Sequence, residues 1–288
     1  MRLVIVTDLD GTLLDPVTYA IGPAVGALRR VMDLGVPLVL SSSKTRAEIE
    51  AIRSRIGIGG PFVVENGGAI VAPAGYFVRP VPGAVIGDER FVLELGRPYT
   101  EVVDILKNVA VAEGMTVVGF SDMTVSEVAV DCGLSLLDAQ LAKLRQYDEP
   151  FKLLGADLGA RSRFLKALRR HGVRVVSGGR YDHATGDADK GQAVSALRTL
   201  FAERDGRVTL IGLGDGLNDM SMLRAVDRPV IVKNDMSGAT ARLARKVPTA
   251  MVTQASGPAG WAEAVTTLLD QWQAEEAPIQ AGSRMERH

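Results

Sequence analysis

The sequence predicts an α/β fold in which a parallel-sheet core is interrupted by a second, inserted unit. The unbroken apolar run Leu3–Val6 and the mostly apolar run Val208–Ile211 end at acidic or glycine-rich loops, which is typical of interior strands of a parallel sheet. Such runs alternate with helical patterns up to about Val81 and again from Lys190. Between these two segments the sequence is more polar and its strands are isolated, so we expect a core built from both ends of the chain.

Local signals place the elements of the first segment. Gly22-Pro23 begins a helix that Gly35 ends, and Thr45-Arg46-Ala47-Glu48 is a capping box that begins a helix ending near Ile56. Glu65-Asn66-Gly67-Gly68 is a turn signature between two short strands. The strands predicted here are Leu3–Val6, Val36–Leu40, Phe62–Val64 and Ala69–Val71.

A linker at Pro80-Val81-Pro82-Gly83 marks the start of the inserted unit, in which Thr124 and Ser135 each begin a helix. Its other predicted elements are helices at Val102–Glu113 and Ala160–His171 and strands at Met115–Phe120, Phe151–Leu154 and Val173–Val176. The core then resumes with helices at Lys190–Phe201, Asn218–Ala225, Gly238–Arg245 and Trp261–Trp272 and strands at Val208–Ile211 and Val230–Val232.

These elements predict a catalytic core at 1–83 and 187–272 and an inserted domain at 84–186. Residues 273–288 are polar and have no apolar period, which predicts a disordered tail.

Composition excludes several classes of protein. Lys and Arg number 33 against 34 Asp and Glu, and the net charge of −1 argues against a nucleic-acid or membrane-surface partner. No apolar run reaches the ~20 residues of a membrane span, and Asp8 and Asp10 lie where a signal peptide would be apolar. We therefore expect a soluble cytoplasmic protein. One Cys and three His exclude a disulfide framework and disfavour a Cys/His zinc site, so carboxylates must hold any metal.

Two acidic clusters follow predicted strands. Asp8-Leu9-Asp10-Gly11-Thr12 could be a calcium loop, but the positions of the EF-hand glycine and glutamate hold Leu13 and Tyr19. Gly212–Asp219 resembles a dinucleotide fingerprint, but Leu217 occupies the sixth position and Asp215 would repel a pyrophosphate. Carboxylates gathered at strand ends favour Mg²⁺ and phosphoryl chemistry. Lys190 and either Ser42 or Ser43 are candidate partners for phosphoryl oxygens.

The ordered motifs Asp-x-Asp-Gly-Thr, a strand-end Ser, Asp-Lys-Gly and Gly-Asp-x-x-Asn-Asp resemble those of the haloacid dehalogenase superfamily of phosphohydrolases. The resemblance implies a Rossmann-like parallel-sheet core, and the insert resembles the α+β cap of the Cof-type subclass. Further segments resemble the mannosyl-3-phosphoglycerate phosphatases within that superfamily: residues 42–48, 65–68, 145–150, 178–183 and 257–261.

That resemblance implies a role for each matching residue. Asp8 would be the nucleophile, Asp10 the general acid and base, and Ser42 and Lys190 the ligands of the phosphoryl group. Mg²⁺ would be held by Asp8, the Asp10 carbonyl and Asp215, with Asn218 and Asp219 supporting it. Substrate binding would fall to Ser43, Lys44, Thr45, Arg46, Glu65, Asn66, Gly67, Glu149, Arg180 and His183.

The expected reaction is hydrolysis of a small sugar phosphate, mannosyl-3-phosphoglycerate, through an aspartyl-phosphate. Alternatives on the same scaffold are a glucosyl-3-phosphoglycerate phosphatase, a broader sugar phosphatase and, less favoured, a phosphomutase. Leu217 and Asp215 disfavour an oxidoreductase, and the presence of both Asp8 and Asp10 disfavours a non-catalytic binding protein.

Overall fold

The structure is a computed structural model that describes residues 2–77, 83–86, 89–177 and 180–285, apart from the side chains of Ile86 and of 276–285. The predicted linker residues 80–82 and the paired glycines 178–179 lie outside this part of the chain. The strands are β1 (Arg2–Thr7), β2 (Leu38–Ser41), β3 (Phe62–Val64), β4 (Ala69–Pro73), β5 (Ala84–Ile86), β6 (Arg90–Glu94), β7 (Thr116–Gly119), β8 (Asp148–Leu154), β9 (Arg174–Ser177), β10 (Asp182–Thr185), β11 (Val208–Gly214), β12 (Arg228–Lys233) and β13 (Met251–Ser256). The helices are α1 (Val25–Asp33), α2 (Arg46–Ile56), α3 (Tyr99–Ala112), α4 (Val125–Cys132), α5 (Leu136–Ala142), α6 (Leu158–Arg170), α7 (Lys190–Asp205), α8 (Met220–Ala225), α9 (Ala239–Lys246) and α10 (Gly257–Met285).

The chain divides into two compact units, which we call the first unit (residues 1–39 and 198–288) and the second unit (residues 40–197). In the first unit the strand order is β13-β12-β11-β1. β1, β11, β12 and β13 pair in parallel, with Thr7 opposite Leu213 at the carboxyl ends of β1 and β11. Val4, Ile5 and Val6 are fully buried, which explains the unbroken apolar run in the sequence.

The start of α10 supports the end of β1. Trp261 is fully buried, and its Nε1 donates to Thr7 Oγ1 at 3.0 Å. A side chain at Gly260 would place its Cβ 2.2 Å from the Ala255 carbonyl oxygen, so only glycine fits at this position. Trp261 therefore joins the start of α10 to the strand that precedes Asp8, while Gly260 lets the helix lie close to β13.

The second unit contains two groups of strands. One has the order β2-β3-β4-β6-β5, in which β2 and β3 are parallel and the other pairs are antiparallel. The other is a separate antiparallel sheet of order β7-β8-β10-β9. Phe151 of this sheet packs with Phe164 of α6 and Leu106 of α3 in a buried cluster. The α/β fold with a separate α+β unit, predicted from the sequence, is thus confirmed.

The helix starts predicted from caps are confirmed in the second unit. Thr45 and Thr124 each accept a hydrogen bond from the backbone N–H three residues on, within full capping boxes. Ser135 caps α5 in the same way through Asp138 N–H. Short polar side chains satisfy helix N–H groups that have no partner inside the helix, so this local signal is readable from sequence.

Other elements differ from the prediction. β5 and β6 pair with β4, although the sequence places the start of the insert at residue 84. β10 and β13 have no counterpart among the predicted elements. α10 continues to Met285 where a disordered tail was expected. Gln273, Ala274 and Glu275, which follow the predicted end of the helix, are good helix formers.

The division between the two units falls between residues 39 and 40 and between residues 197 and 198. The sequence prediction placed the insert at 84–186. The turn after β3 explains part of this difference, because the Glu65 carboxylate binds the backbone of residues 146–148 and so joins 40–77 to the insert. Among the described residues, no helix has the combined length and apolar character needed to cross a bilayer.

Candidate active site

Three buried carboxylates of the first unit lie together at the carboxyl ends of β1 and β11. Asp8, Asp215 and Asp219 each offer an oxygen, and these atoms lie within 4.8 Å of one another. Parallel pairing of β1 with β11 brings the ends of both strands to one edge of the sheet, where α/β folds bind ligands. The structure therefore brings these three predicted site residues together.

Glycine allows the loops to approach this closely. Gly11 has a φ of +84°, and a Cβ there would lie 2.6 Å from Asp215 Oδ2. A Cβ on Gly214 would lie 2.5 Å from the Asp219 Cβ. Larger residues at these positions would force the carboxylates apart.

Hydrogen bonds fix the orientation of the carboxylates. Asp219 Oδ2 accepts from the backbone N–H of Asp215 at 3.1 Å and of Gly216 at 3.0 Å. Asp215 Oδ1 accepts from Thr12 Oγ1 at 2.8 Å, and its Oδ2 accepts from Asn234 Nδ2 at 2.5 Å. Asn234 directly follows β12 and was not among the predicted site residues. The strand that precedes it, Val230–Val232, was predicted, but its pairing with β11 depends on long-range sheet order.

The two other predicted metal residues are Asp10, which is not one of these three carboxylates, and Asn218, whose side chain is an amide. Asp10 is partly buried, and its backbone forms a bridge to Leu14 in the tight turn after β1. Asn218 is partly buried in the loop before α8, where a Cβ on Gly216 would approach its Oδ1 to 2.3 Å. The backbone carbonyl of Asp10, rather than its side chain, was the predicted ligand.

The donor set of this cluster fits a hard divalent cation. Its oxygen ligands are of the kind that Mg²⁺ prefers. Three carboxylates held this close in a buried site repel one another, and a bound cation relieves that repulsion. The residues present therefore suit Mg²⁺ better than a soft or nitrogen-seeking metal.

The second unit brings Ser42, Lys190 and the Glu65–Gly67 turn into one neighbourhood. Ser42 is buried at the end of β2, and its carbonyl accepts from Asn66 N–H at 2.9 Å. Lys190, the first residue of α7, is 1% exposed. A Cβ on Gly67 would lie 2.8 Å from the Lys190 backbone nitrogen, so glycine at 67 lets the turn reach the start of α7.

The segment after Ser42 is held by its own helix and by the insert. Lys44 N–H donates to Ser42 Oγ at 3.2 Å, and Lys44 Nζ lies 3.8 Å from Glu48. Thr45 is fully buried, and its hydroxyl donates to the Leu141 carbonyl at 2.9 Å. Ser43 and Arg46 are partly buried. Thr45 caps the start of α2, which gives a structural reason for a threonine at this position.

Glu65 and Asn66 both have positive φ, 46° and 58°, at the turn between β3 and β4. This strained backbone is stabilised because the Glu65 carboxylate accepts hydrogen bonds from the N–H groups of Gln146, Tyr147 and Asp148 at 2.8–3.1 Å. Burial raises the pKa of Glu65, which Arg145 opposes. Glu65 is therefore positioned to tie the turn to the insert.

His183 lies beside a buried pair of charged side chains, Arg145 and Asp148. Arg145 Nη2 lies 2.6 Å from Asp148 Oδ1, while Asp148 Oδ2 accepts from Asn66 Nδ2 at 2.8 Å and lies 3.1 Å from His183 Nδ1. Burial alone would raise the pKa of Asp148, but Arg145 and His183 outweigh burial and hold it below its usual value. Asn66 and His183, both predicted to bind substrate, thus share one carboxylate.

Glu149, also predicted to bind substrate, does not lie with Asn66 and His183. Its neighbour across the sheet is Ala184, and it shares a face with Phe151, whereas His183 lies opposite Pro150 on the other face. Its carboxylate accepts from Tyr99 Oη at 2.7 Å and from Ser121 N–H at 2.9 Å, and burial raises its pKa. Glu149 therefore lies on the opposite face of the sheet from His183, and its hydrogen bonds favour a structural role.

Arg180, also predicted to bind substrate, is exposed next to α4. Its guanidinium donates to the carbonyl of Asp131. The structure therefore brings His183 and Asn66 together and leaves Glu149 and Arg180 apart from them.

Known proteins with similar sequences indicate the family to which this chain belongs. Residues 5–79 match the family model of the haloacid dehalogenase-like hydrolases. Two relatives, from Methanococcoides burtonii and Persephonella marina, are named glucosyl-3-phosphoglycerate/mannosyl-3-phosphoglycerate phosphatase. They are 38% and 35% identical, and the matches cover 93% of this chain and 98% of each relative. The chain belongs to the haloacid dehalogenase-like hydrolases.

A solved structure shares the fold at low sequence identity. The structure of Thermoplasma acidophilum 0175 matches with a TM-score of 0.63 at 19% identity, covering 93% of this chain and 97% of the other. The match covers nearly the whole of both chains, so it includes the insert as well as the parallel strands.

Proposed function

We propose that this protein is a Mg²⁺-dependent phosphatase that hydrolyses mannosyl-3-phosphoglycerate to mannosylglycerate and phosphate. The cluster of Asp8, Asp215 and Asp219 at the ends of β1 and β11 carries the proposal. The names of the two relatives that match over nearly their whole length support the substrate class. Because both carry the double name, glucosyl-3-phosphoglycerate is a second expected substrate.

In the proposed reaction, an Asp8 carboxylate oxygen attacks phosphorus and the bond to the glycerate oxygen breaks. Asp10 donates a proton to that leaving oxygen, then accepts a proton from the water that hydrolyses the aspartyl-phosphate. Thr12 and Asn234 hold the Asp215 carboxylate, and backbone N–H groups hold Asp219. When bound, Mg²⁺ would supply positive charge that offsets part of the negative charge of the carboxylates and of the phosphoryl group.

Residues of the second unit would bind the rest of the substrate. We propose that Ser42 and Lys190 bind phosphoryl oxygens, in keeping with their motifs. Lys44, Arg46 and His183 suit the glycerate carboxylate and sugar hydroxyls. The Asp148 carboxylate next to His183 Nδ1 would fix the orientation of that ring.

Phosphate release from a substrate panel tests the proposal. The panel contains mannosyl- and glucosyl-3-phosphoglycerate, 3-phosphoglycerate, mannose 6-phosphate and glucose 6-phosphate, all with Mg²⁺. We expect the two glycosyl-3-phosphoglycerates to give the highest kcat/KM. Equal kcat/KM for the simple sugar phosphates would contradict the substrate assignment and favour a broader phosphatase. Accumulation of a sugar bisphosphate would favour a phosphomutase.

A further inference from the structure

The loop after β12 aims an amide at the carboxylate cluster. β1, β11 and β12 are consecutive in the sheet, and each is followed at its carboxyl end by a polar residue, namely Asp8, Asp215 and Asn234. The first two belong to the carboxylate cluster. Asn234 reaches it by donating from Nδ2 to Asp215 Oδ2 at 2.5 Å.

The orientation of this amide is fixed by its own loop. Asn234 Oδ1 accepts from the backbone N–H of Met236 at 2.9 Å and of Ser237 at 3.0 Å. Asn234 N–H donates to Thr240 Oγ1 at 2.9 Å. Two N–H donors must face the carbonyl oxygen of the amide, so the NH₂ group is the part that points at Asp215.

Asp215 is consequently clamped from two sides. Thr12 Oγ1 donates to one oxygen and Asn234 Nδ2 to the other, and both donors are uncharged. A carboxylate oxygen can take part in more than one interaction, so a hydrogen bond from an uncharged donor does not by itself prevent it from binding a cation. Both donors restrict rotation of the carboxylate, which would otherwise swing away from Asp8 and Asp219 because like charges repel.

We infer that Asn234 is a positioning residue that sets the divalent-cation affinity of the site by orienting the Asp215 carboxylate. This inference rests on the proposed Mg²⁺ site. Hydrogen-bond partners of metal ligands typically change metal affinity by about 10- to 100-fold when they are removed.

Three variants separate the two tasks of the side chain. Asn234→Ala removes both the donor to Asp215 and the acceptor that holds the loop. Asn234→Ser keeps a hydroxyl acceptor for the N–H groups two and three residues on, but is too short to reach Asp215. Thr240→Val is the matched control, since it loosens the same loop through Asn234 N–H and leaves the amide facing Asp215.

The readout is Mn²⁺ binding to the substrate-free protein, measured from the paramagnetic resonance signal of free Mn²⁺ and by competition with Mg²⁺. We expect Asn234→Ala and Asn234→Ser to raise the Mn²⁺ dissociation constant by about 10-fold or more, and Thr240→Val to leave it within about twofold. The Mg²⁺ concentration for half-maximal phosphate release should shift by the same factor. Should Asn234→Ala fail to fold, Asn234→Ser carries the test.

Other outcomes overturn the inference. Wild-type affinity in Asn234→Ser but not in Asn234→Ala would show that the side chain acts through the loop. Wild-type affinity in both variants would show no positioning role. Absence of Mn²⁺ binding by the wild type would overturn both the inference and the proposed metal site, whereas metal binding without sugar-phosphate hydrolysis would contradict the proposed reaction alone.

Discussion

Each of the two units contains a buried cluster of acidic side chains, and the two clusters differ in the groups that surround the carboxylates. In the first unit, Asp215 and Asp219 accept hydrogen bonds from uncharged donors and lie beside Asp8 with like charges gathered together. In the second unit, Arg145 lies between Glu65 and Asp148, at 3.8 and 2.6 Å. An arginine between two carboxylates is typical of a structural network, whereas three carboxylates whose oxygens converge on one point are typical of a site that binds a cation. The comparison therefore predicts which cluster serves activity and which serves stability.

The largest expected effect is on activity in the first unit. Asp8→Asn removes the proposed nucleophile, so kcat for phosphate release should fall by at least about 10³-fold. The same change lowers repulsion within the cluster, so the midpoint of thermal unfolding should not decrease. Activity above that limit would contradict the assignment of Asp8, and a large loss of stability would remove the contrast between the clusters.

The next effect is on stability in the second unit. Arg145→Met leaves Glu65 and Asp148 buried without their guanidinium partner, which should lower the free energy of unfolding by about 3–5 kcal/mol. Lys107→Met is the matched control, because its pair with Asp122 is well exposed and should contribute about 1 kcal/mol or less. Denaturant unfolding measures both variants. Equal losses would show that the buried cluster is no more structural than a surface pair.

The smallest effect concerns pH and Glu149. Burial raises the pKa of Glu149 in the folded protein, so the folded state binds this proton more tightly than the unfolded chain. The resulting stability is present below the unfolded pKa and is lost as pH rises through the folded pKa. Relative to wild type, Glu149→Gln should therefore gain stability as pH rises through that window, as measured by denaturant unfolding at each pH.

Glu127 provides a control of opposite sign for Glu149. Its pKa is lowered, chiefly because it accepts from Thr124 N–H at 2.7 Å. Glu127→Gln should lose stability relative to wild type at neutral pH and approach it as pH falls. The same sign of pH dependence in both variants would show that burial does not control the pKa of Glu149.

Local signals made the first unit readable from the sequence. An apolar run followed by Asp8, and another followed by Gly214 and Asp215, carry strand, loop and chemistry within a few residues. The hydrogen bond from Asn234 to Asp215 depends on the order of the strands in the sheet, which places β12 beside β11. No local sequence pattern contains that order. Two-residue alternation would have assigned Glu149 to the apolar face of Phe151, but the motif around it suggested a substrate contact instead.

The pairing of β5 and β6 with β4 was not predictable for a related reason. Phe91 and Leu93 alternate with less buried residues, but such a short pattern does not say which sheet it joins. The boundary of the insert therefore depends on long-range pairing, while the strand-end chemistry does not.

The central claim is that the carboxylates at the ends of β1 and β11 form a cation-dependent phosphoryl-transfer site. Phosphate release from mannosyl-3-phosphoglycerate should be measured before chelation, after complete removal of divalent cations, and after Mg²⁺ is restored. We predict loss of activity on chelation and full recovery with Mg²⁺, with recovery impaired in Asp215→Asn. Undiminished phosphate release in the presence of chelator would contradict the claim.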